Sequence, residues 1–227
     1  MPENFSFRMT DEEYRVLEKI KNSIPICYLA DHADFALGIV TGNNKKFLSA
    51  EKTENSEMVL KGTDICKYHI NPVKQYLRFE PEQFQQVAPL EIYRAPEKLL
   101  YRFISNQLVV AYDDRQMLSL NSCNIVIPKI DGMQIKYILA ILNSSVSQFV
   151  YQKEFHSIKV LRAHMEHIPI PRVGKAIQNE IIAMTEPLIC GMGKEAAETC
   201  QKRLDCRIMD LFRFSAEEQW IIRHALH

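Results

Sequence analysis

Four short clusters of residues have the types and spacing to do chemistry. His164-Met-Glu-His167 sets two imidazoles three residues apart, a spacing that metal sites use, but no cysteine or third ligand stands nearby and Ile-Pro-Ile-Pro follows at once. Surface or nucleic-acid-facing histidines are the better reading. Asp113-Asp114 could be a carboxylate pair for metal or acid–base work. No Lys, Glu or His stands at nuclease-like spacing from it, so a solvated turn is favoured. Gly191-Met-Gly193-Lys194 has the outline of a phosphate loop. That loop needs Gly five residues before Gly193 and Ser or Thr after the Lys, and the chain has Leu188 and Glu195 there. Asn71-Pro72-Val73-Lys74 begins like the target-base loop of an adenine methyltransferase, but the second proline and the aromatic residue that hold a flipped base are missing. No Gly-x-Ser-x-Gly elbow occurs, and among the seven glycines no Gly-x-Gly loop follows a strand to receive a nucleotide cofactor. Catalysis is not visible in this chain, and no metal site is expected.

The elements around these clusters are legible from periodicity. Thr10 and Glu13 form a capping box, and Tyr14, Leu17 and Ile20 make an apolar stripe that ends near Asn22. Short strands are predicted over residues 35–40, 46–49, 58–60, 108–112 and 124–127. The turn Thr41-Gly42-Asn43-Asn44 breaks the first two. Four prolines between residues 71 and 98 exclude a long regular element there. Ile135, Ile138, Leu139, Leu142, Val146, Phe149 and Val150 keep helical spacing over about four turns and predict one central helix. Helices are also predicted over residues 176–189, 194–212 and from Ser215 to the end. The fold class is α+β: a mixed sheet of short strands packed on a central helix, with a helical C-terminal tail. The expected division is an N-terminal helix and linker over 1–24, the main domain over 25–175 and the packed tail over 176–227.

Composition narrows the class further. The 227 residues are 47% hydrophobic and 25% charged, which suits a globular protein and excludes disorder, collagen-like repeats and coiled coil. No apolar run approaches the roughly 20 residues of a membrane span, and residues 1–10 do not read as a signal peptide. Six scattered cysteines without a Cys-x-x-Cys pair suggest reduced thiols and a cytoplasmic protein. Net charge is zero, yet it is unevenly spread. Residues 90–175 carry 11 basic and 7 acidic side chains, net +4, whereas residues 1–60 are net −3 and residues 176–227 net −2. Phosphate attraction depends on a local basic face, which whole-chain charge does not report.

Six segments, in this order, resemble one family. They are Leu37-Gly-Ile-Val-Thr-Gly-Asn-Asn-Lys-Lys-Phe47, Leu60-Lys-Gly-Thr-Asp-Ile-Cys-Lys-Tyr68, Tyr93-Arg-Ala-Pro-Glu-Lys-Leu-Leu100, Tyr137-Ile-Leu-Ala-Ile-Leu-Asn-Ser144, Ile168-Pro-Ile-Pro171 and the tail from Leu204 to Glu218. Together they are similar to the TaqI-like C-terminal specificity (target recognition) domain of type II adenine-specific DNA methyltransferases and restriction-modification enzymes, over roughly residues 25–222. Arg213 and Phe214 depart from the family's Gly and Leu in the tail. The resemblance implies a non-catalytic module that recognises double-stranded DNA. It implies a catalytic methyltransferase domain, in cis or in trans and with or without a nuclease, that binds S-adenosylmethionine and methylates adenine at N6. No cofactor is expected in this chain. An RNA- or protein-binding adaptor with the same fold is the alternative.

A module that reads DNA needs cations for phosphates and planar, bidentate groups for base edges. On the turn at residues 42–46, Lys45 and Lys46 are expected to hold phosphates, with Asn43 beside them and Asn44 as a secondary base reader. Base readers are expected on the polar loops at 113–122 and 151–162: Arg115, Gln116, Asn121, Lys153, His156 and Arg162. Asn143 and Ser144 lie inside the central helix and read as structural.

Overall fold

The computed structural model describes residues 9–155 and 157–226. Its first half holds α1 (Asp11–Asn22), β1 (Ile26–Cys27), β2 (Ala33–Ala36), α2 (Asn44–Phe47), β3 (Leu48–Ser49), β4 (Ser56–Leu60), β5 (Tyr76–Arg78) and α3 (Leu90–Tyr93). Next come β6 (Lys98–Arg102), β7 (Val110–Asp113), β8 (Leu118–Ser119) and β9 (Cys123–Pro128). The second half is α4 (Ile135–Asn143), α5 (Ser145–Glu154), α6 (Arg162–Glu166), β10 (Ile170–Pro171), α7 (Lys175–Cys190), α8 (Lys194–Leu211) and α9 (Ala216–His224). The class is α+β, as the sequence predicts, and no described helix is long and apolar enough to cross a membrane.

The organising element is an antiparallel sheet of order β2-β9-β6-β7. Strand side chains alternate between faces, and here both faces are covered. Leu99, Tyr101, Val110, Tyr112 and Val126 pack with α1, α4, α5 and the C-terminal helices. Leu100, Ala111 and Ile125 pack with Val59, Leu60, Leu77 and Leu118 of a second sheet, of order β3-β5-β4-β8. In that sheet β4 and β8 run parallel, and the other pairs are antiparallel. Helices α7 to α9 close over α4 and α5, and the Asp205 carboxylate on α8 accepts the Ser145 N–H at the start of α5 (2.9 Å).

Three expectations need correction. The central strand β6 is not among the predicted strands, although it pairs with β7 on one side and β9 on the other. Its first residue is a lysine, which masks the buried pattern. Of the strand predicted over 46–49 only Leu48–Ser49 is a strand; residues 46 and 47 belong to a helical turn, because the Asn43 side chain accepts the Lys46 N–H and caps it (3.2 Å). Lastly, the central helix is two helices. Ser144 has ψ 158°, and its hydroxyl ends α4 by donating to Ile141 O (2.7 Å) and starts α5 by accepting the Ser147 N–H (3.3 Å).

The break has a purpose that can be traced through hydrogen bonds. The outer edge of β7 lies beneath α4 and α5, out of reach of water, so its backbone groups need partners. Asn143 Nδ2 donates to Val110 O (2.8 Å) while its Oδ1 accepts the Val110 N–H (3.1 Å). Gln148 repeats the contact two residues earlier, with Nε2 to Leu108 O (3.0 Å) and Oε1 from Leu108 N–H (2.9 Å). Residues five apart on an unbroken helix would point about 140° away from each other. Resetting the chain at Ser144 turns both amides onto one strand. Asn143→Leu should therefore leave the Val110 N–H without a partner and cost about 1–3 kcal/mol, read as a lower urea midpoint at unchanged slope.

Candidate nucleic-acid interface

Strand register sorts the loops to two ends of the sheets. Arg102 pairs with Cys123 and Tyr101 with Val110, so the 103–109 hairpin and the 120–123 turn share one end. The segment after β4 reaches the same end, because β4 runs parallel to β8. There the turn is held by backbone. Leu120 N–H donates to Leu60 O (2.7 Å), Asn121 N–H to Ile39 O (3.1 Å) and Phe103 N–H to Ser122 O (3.0 Å). Arg102 points its guanidinium not at solvent but at Gly62 O (2.8 Å) and Ile65 O (2.6 Å). Two glycines permit the close approach. A Cβ on Gly38 would lie 2.1 Å from Leu120 O, and one on Gly62 2.5 Å from Ser122 O.

Beside this turn lies a cleft of about 410 Å³, lined by Asn44, Lys45, Lys61, Gln75, Asn121 and Ser122 over Leu48 and Leu120. The Asn44 Oδ1 accepts the Thr41 hydroxyl (2.6 Å), and the buried Gln75 Oε1 has no hydrogen-bond partner among the described residues. No ion pair among the described residues takes up Lys45 or Lys61. Two ammonium groups can meet phosphates, and the exposed Asn121 carboxamide can make paired hydrogen bonds to a base edge. The structure thus brings Asn44, Lys45 and Asn121 together and adds Lys61 and Gln75, which the sequence candidates omit. Lys61 was findable, since it stands in the Lys-Gly-Thr-Asp segment. Gln75 lies in the proline-broken stretch and carries no signal of its own.

The remaining candidates stand elsewhere. Asn43 caps α2, and Lys46 donates to Gln83 Oε1 (2.6 Å) and lies over the Phe47 ring. Arg115 and Gln116 are exposed but occupy the opposite end, on the loop after β7. Lys153 is mostly buried in an ion pair with Glu13 of α1 (2.7 Å), which removes it from the open surface. Arg162 is exposed, pairs with Glu166 (2.7 Å) and lies over the Phe35 ring. His156 lies outside the described residues. Of the two spaced histidines, His164 stacks on Phe155 and its Nδ1 accepts the Leu161 N–H (3.2 Å). Burial lowers its pKa, consistent with this neutral acceptor role. No group of three metal-binding side chains occurs among the described residues.

The opposite end is satisfied internally. Lys98 and Asp113 form a fully buried ion pair (2.6 Å), and Lys98 also donates to Tyr93 O (2.6 Å). Burial lowers the Lys98 pKa, and the facing carboxylate opposes that shift. Asp113 also accepts the N–H groups of Arg115 and Met117 (2.9 Å each), so half of the suspected carboxylate pair is a loop anchor. Glu57 holds Arg94 through both carboxylate oxygens (2.6 and 2.7 Å), and Lys136 pairs with Glu186 (2.7 Å).

With this geometry in view, comparison with solved structures defines the fold class. The chain resembles part of the type IIL restriction-modification enzyme MmeI, solved in complex with DNA, with TM-score 0.58 and 10% identity over 89% of this chain and 37% of that one. It also resembles part of the type IIG restriction endonuclease BpuSI, with TM-score 0.54 and 12% identity over 96% of this chain and 32% of that one. The HsdS subunit from Thermoanaerobacter tengcongensis matches with TM-score 0.49 and 15% identity, over 95% of this chain and 49% of that one. The chain thus spans from about a third to about half of these proteins. No curated protein matches its sequence. The family model of the TaqI-like C-terminal specificity domain matches residues 57–170, half of the chain, and the chain belongs to that family. The match includes Lys61, Gln75 and Asn121. It leaves Asn44, Lys45 and the tail from α7 onward outside.

The grip on the 120–123 turn is open to direct test. Gly38→Ala forces a methyl group into the Leu120 carbonyl, so it should destabilise the protein by about 1–3 kcal/mol in thermal or urea unfolding.

Proposed function

We propose that this chain is a DNA target-recognition module of a restriction-modification system, and that it meets duplex DNA with the end of the sheets that carries the 120–123 turn. One observation carries the reading: in a member of a specificity-domain family, a cleft gathers two lysines and three carboxamides beside a backbone-locked turn. Rigid mounting matters because base readout depends on the direction of hydrogen bonds. Lysine, a mobile point charge, suits the phosphates. Lys45 and Lys61 therefore hold the backbone, and Asn121 faces base edges, where adenine is the usual partner of a carboxamide, while Asn44 and Gln75 line the cleft beside it.

The parent assembly we infer is a type II, adenine-specific methyltransferase, with or without a nuclease, that carries this module in cis or in trans. S-adenosylmethionine and the methyl transfer belong to its catalytic domain, which extrudes the adenine while this module selects the site. The six free cysteines suit a reducing compartment such as the cytoplasm.

Readers and holders separate by experiment. In titrations of the full chain with duplex DNA at several salt concentrations, Lys61→Ala should weaken all sequences alike and flatten the salt slope by about one unit. Asn121→Ala should cost about 1–3 kcal/mol on the preferred site and relax the choice at one base position. Identical behaviour of the two variants across a panel of sites would remove the assignment.

A further inference from the structure

Next to the cleft, two loops are joined into a short ribbon. Val160 N–H donates to Phe103 O (2.8 Å) and Ser105 N–H to Ile158 O (3.0 Å), which sets Ile104 opposite Lys159 in antiparallel register. The base of the ribbon is fixed. Val160 and Leu108 are fully buried, Gln148 binds the Leu108 backbone, and the Tyr151 hydroxyl donates to Ser157 O (2.9 Å). Its tip is open and carries aliphatics on both faces: Ile104 (63% exposed) beside Lys159 on one, Ile158 (71%) on the other, and Leu161 (42%) just beyond. Single exposed aliphatics need no explanation, but three on one braced ribbon do. Residues 103–107 and 157–162 contain no acidic side chain, and Lys159, Arg162, Asn106 and Gln107 are all exposed around the tip. Phe103, within the ribbon, bonds to Ser122 of the cleft-lining turn, so ribbon and cleft adjoin.

We propose that this ribbon enters the major groove beside the cleft, where Ile104, Ile158 and Leu161 pack on the 5-methyl groups of thymines while Lys159 meets a flanking phosphate. The inference rests on the DNA-reading function proposed above. A two-stranded β-ribbon fits the major groove, and thymine's methyl group is the apolar feature that groove displays. Cations around an apolar tip match a polyanion whose groove floor carries methyl groups, whereas an acidic protein face would leave the aliphatic tip without a partner.

The test uses the full chain and duplexes selected on it from a random library. Each selected duplex is then remade with deoxyuridine in place of thymine, one position at a time. Loss of one packed methyl should weaken wild-type binding roughly fourfold at one or more positions. The Ile104→Ala/Ile158→Ala variant should bind the thymine and uracil forms equally, while Lys159→Ala should weaken both and keep their ratio. Two results would overturn the proposal although the protein still bound DNA: no uracil effect on the wild type, or a wild-type ratio in the double variant. A double variant that changed the sedimentation mass and left DNA selection intact would overturn it too, by making the tip an interface between copies. If the wild type bound no duplex even at low salt, the DNA-reading function itself would fall, and this inference with it.

Discussion

The structure depends on how the outer edge of β7 is satisfied. An antiparallel sheet covered on both faces and on one edge cannot leave N–H and C=O groups facing apolar side chains. Another strand would solve this, but α4 and α5 occupy the space. Two carboxamides stand in for the strand, each presenting a donor and an acceptor to one residue, Val110 or Leu108. Tyr68 completes the edge with its own backbone, donating N–H to Val110 O (2.7 Å) and accepting from Tyr112 N–H (3.1 Å). To do so it adopts φ 76°, a conformation that costs a side-chain-bearing residue about 1–3 kcal/mol and persists only where surrounding contacts impose it. The break at Ser144, the strained Tyr68 and the amides of Asn143 and Gln148 are one solution to one problem.

That solution also positions the recognition end. Gln148 grips Leu108, two residues before β7, so the 103–109 hairpin ends at a fixed point. Arg102, one residue before that hairpin, ties it to the 62–65 segment. The 120–123 turn is then clamped between Leu60, Ile39 and Phe103. At the other end the buried charges neutralise each other. Breaking a buried pair such as Lys98 and Asp113 would strand the remaining charge, at a cost of several kcal/mol. The two ends therefore differ in kind: one buries the Lys98–Asp113 pair and holds Arg94 on Glu57, the other lines a cleft with lysines and carboxamides.

Much of the frame was legible before folding was considered. Local signals sufficed where the cause was local. The capping boxes at Thr10 and Ser215, the apolar stripe of α1 and the division of α7 from α8 all follow from residues within one turn of each other. The motif order led to the right family, and three of the motifs keep a residue that a backbone contact demands: Gly38, Gly62 and the pair Asn143 and Ser144. Asn143 and Ser144 were correctly read as structural, although nothing nearby in sequence names Val110 as the partner.

What the sequence alone could not decide was grouping and direction. Charged and amide side chains look alike in a sequence whether they face solvent or another strand. Lys153 meets Glu13 across 140 positions, Arg102 turns inward to carbonyls and Lys98 is neutralised by Asp113 across the sheet. Asn121 and Gln75 meet in one cleft because β4 and β8 happen to pair in parallel, while Arg115, only six residues from Asn121, falls at the far end because β8 lies between them. Residue type and local spacing settled which groups could contact nucleic acid. Strand register, which depends on partners distant in the chain, decided which of them share a face.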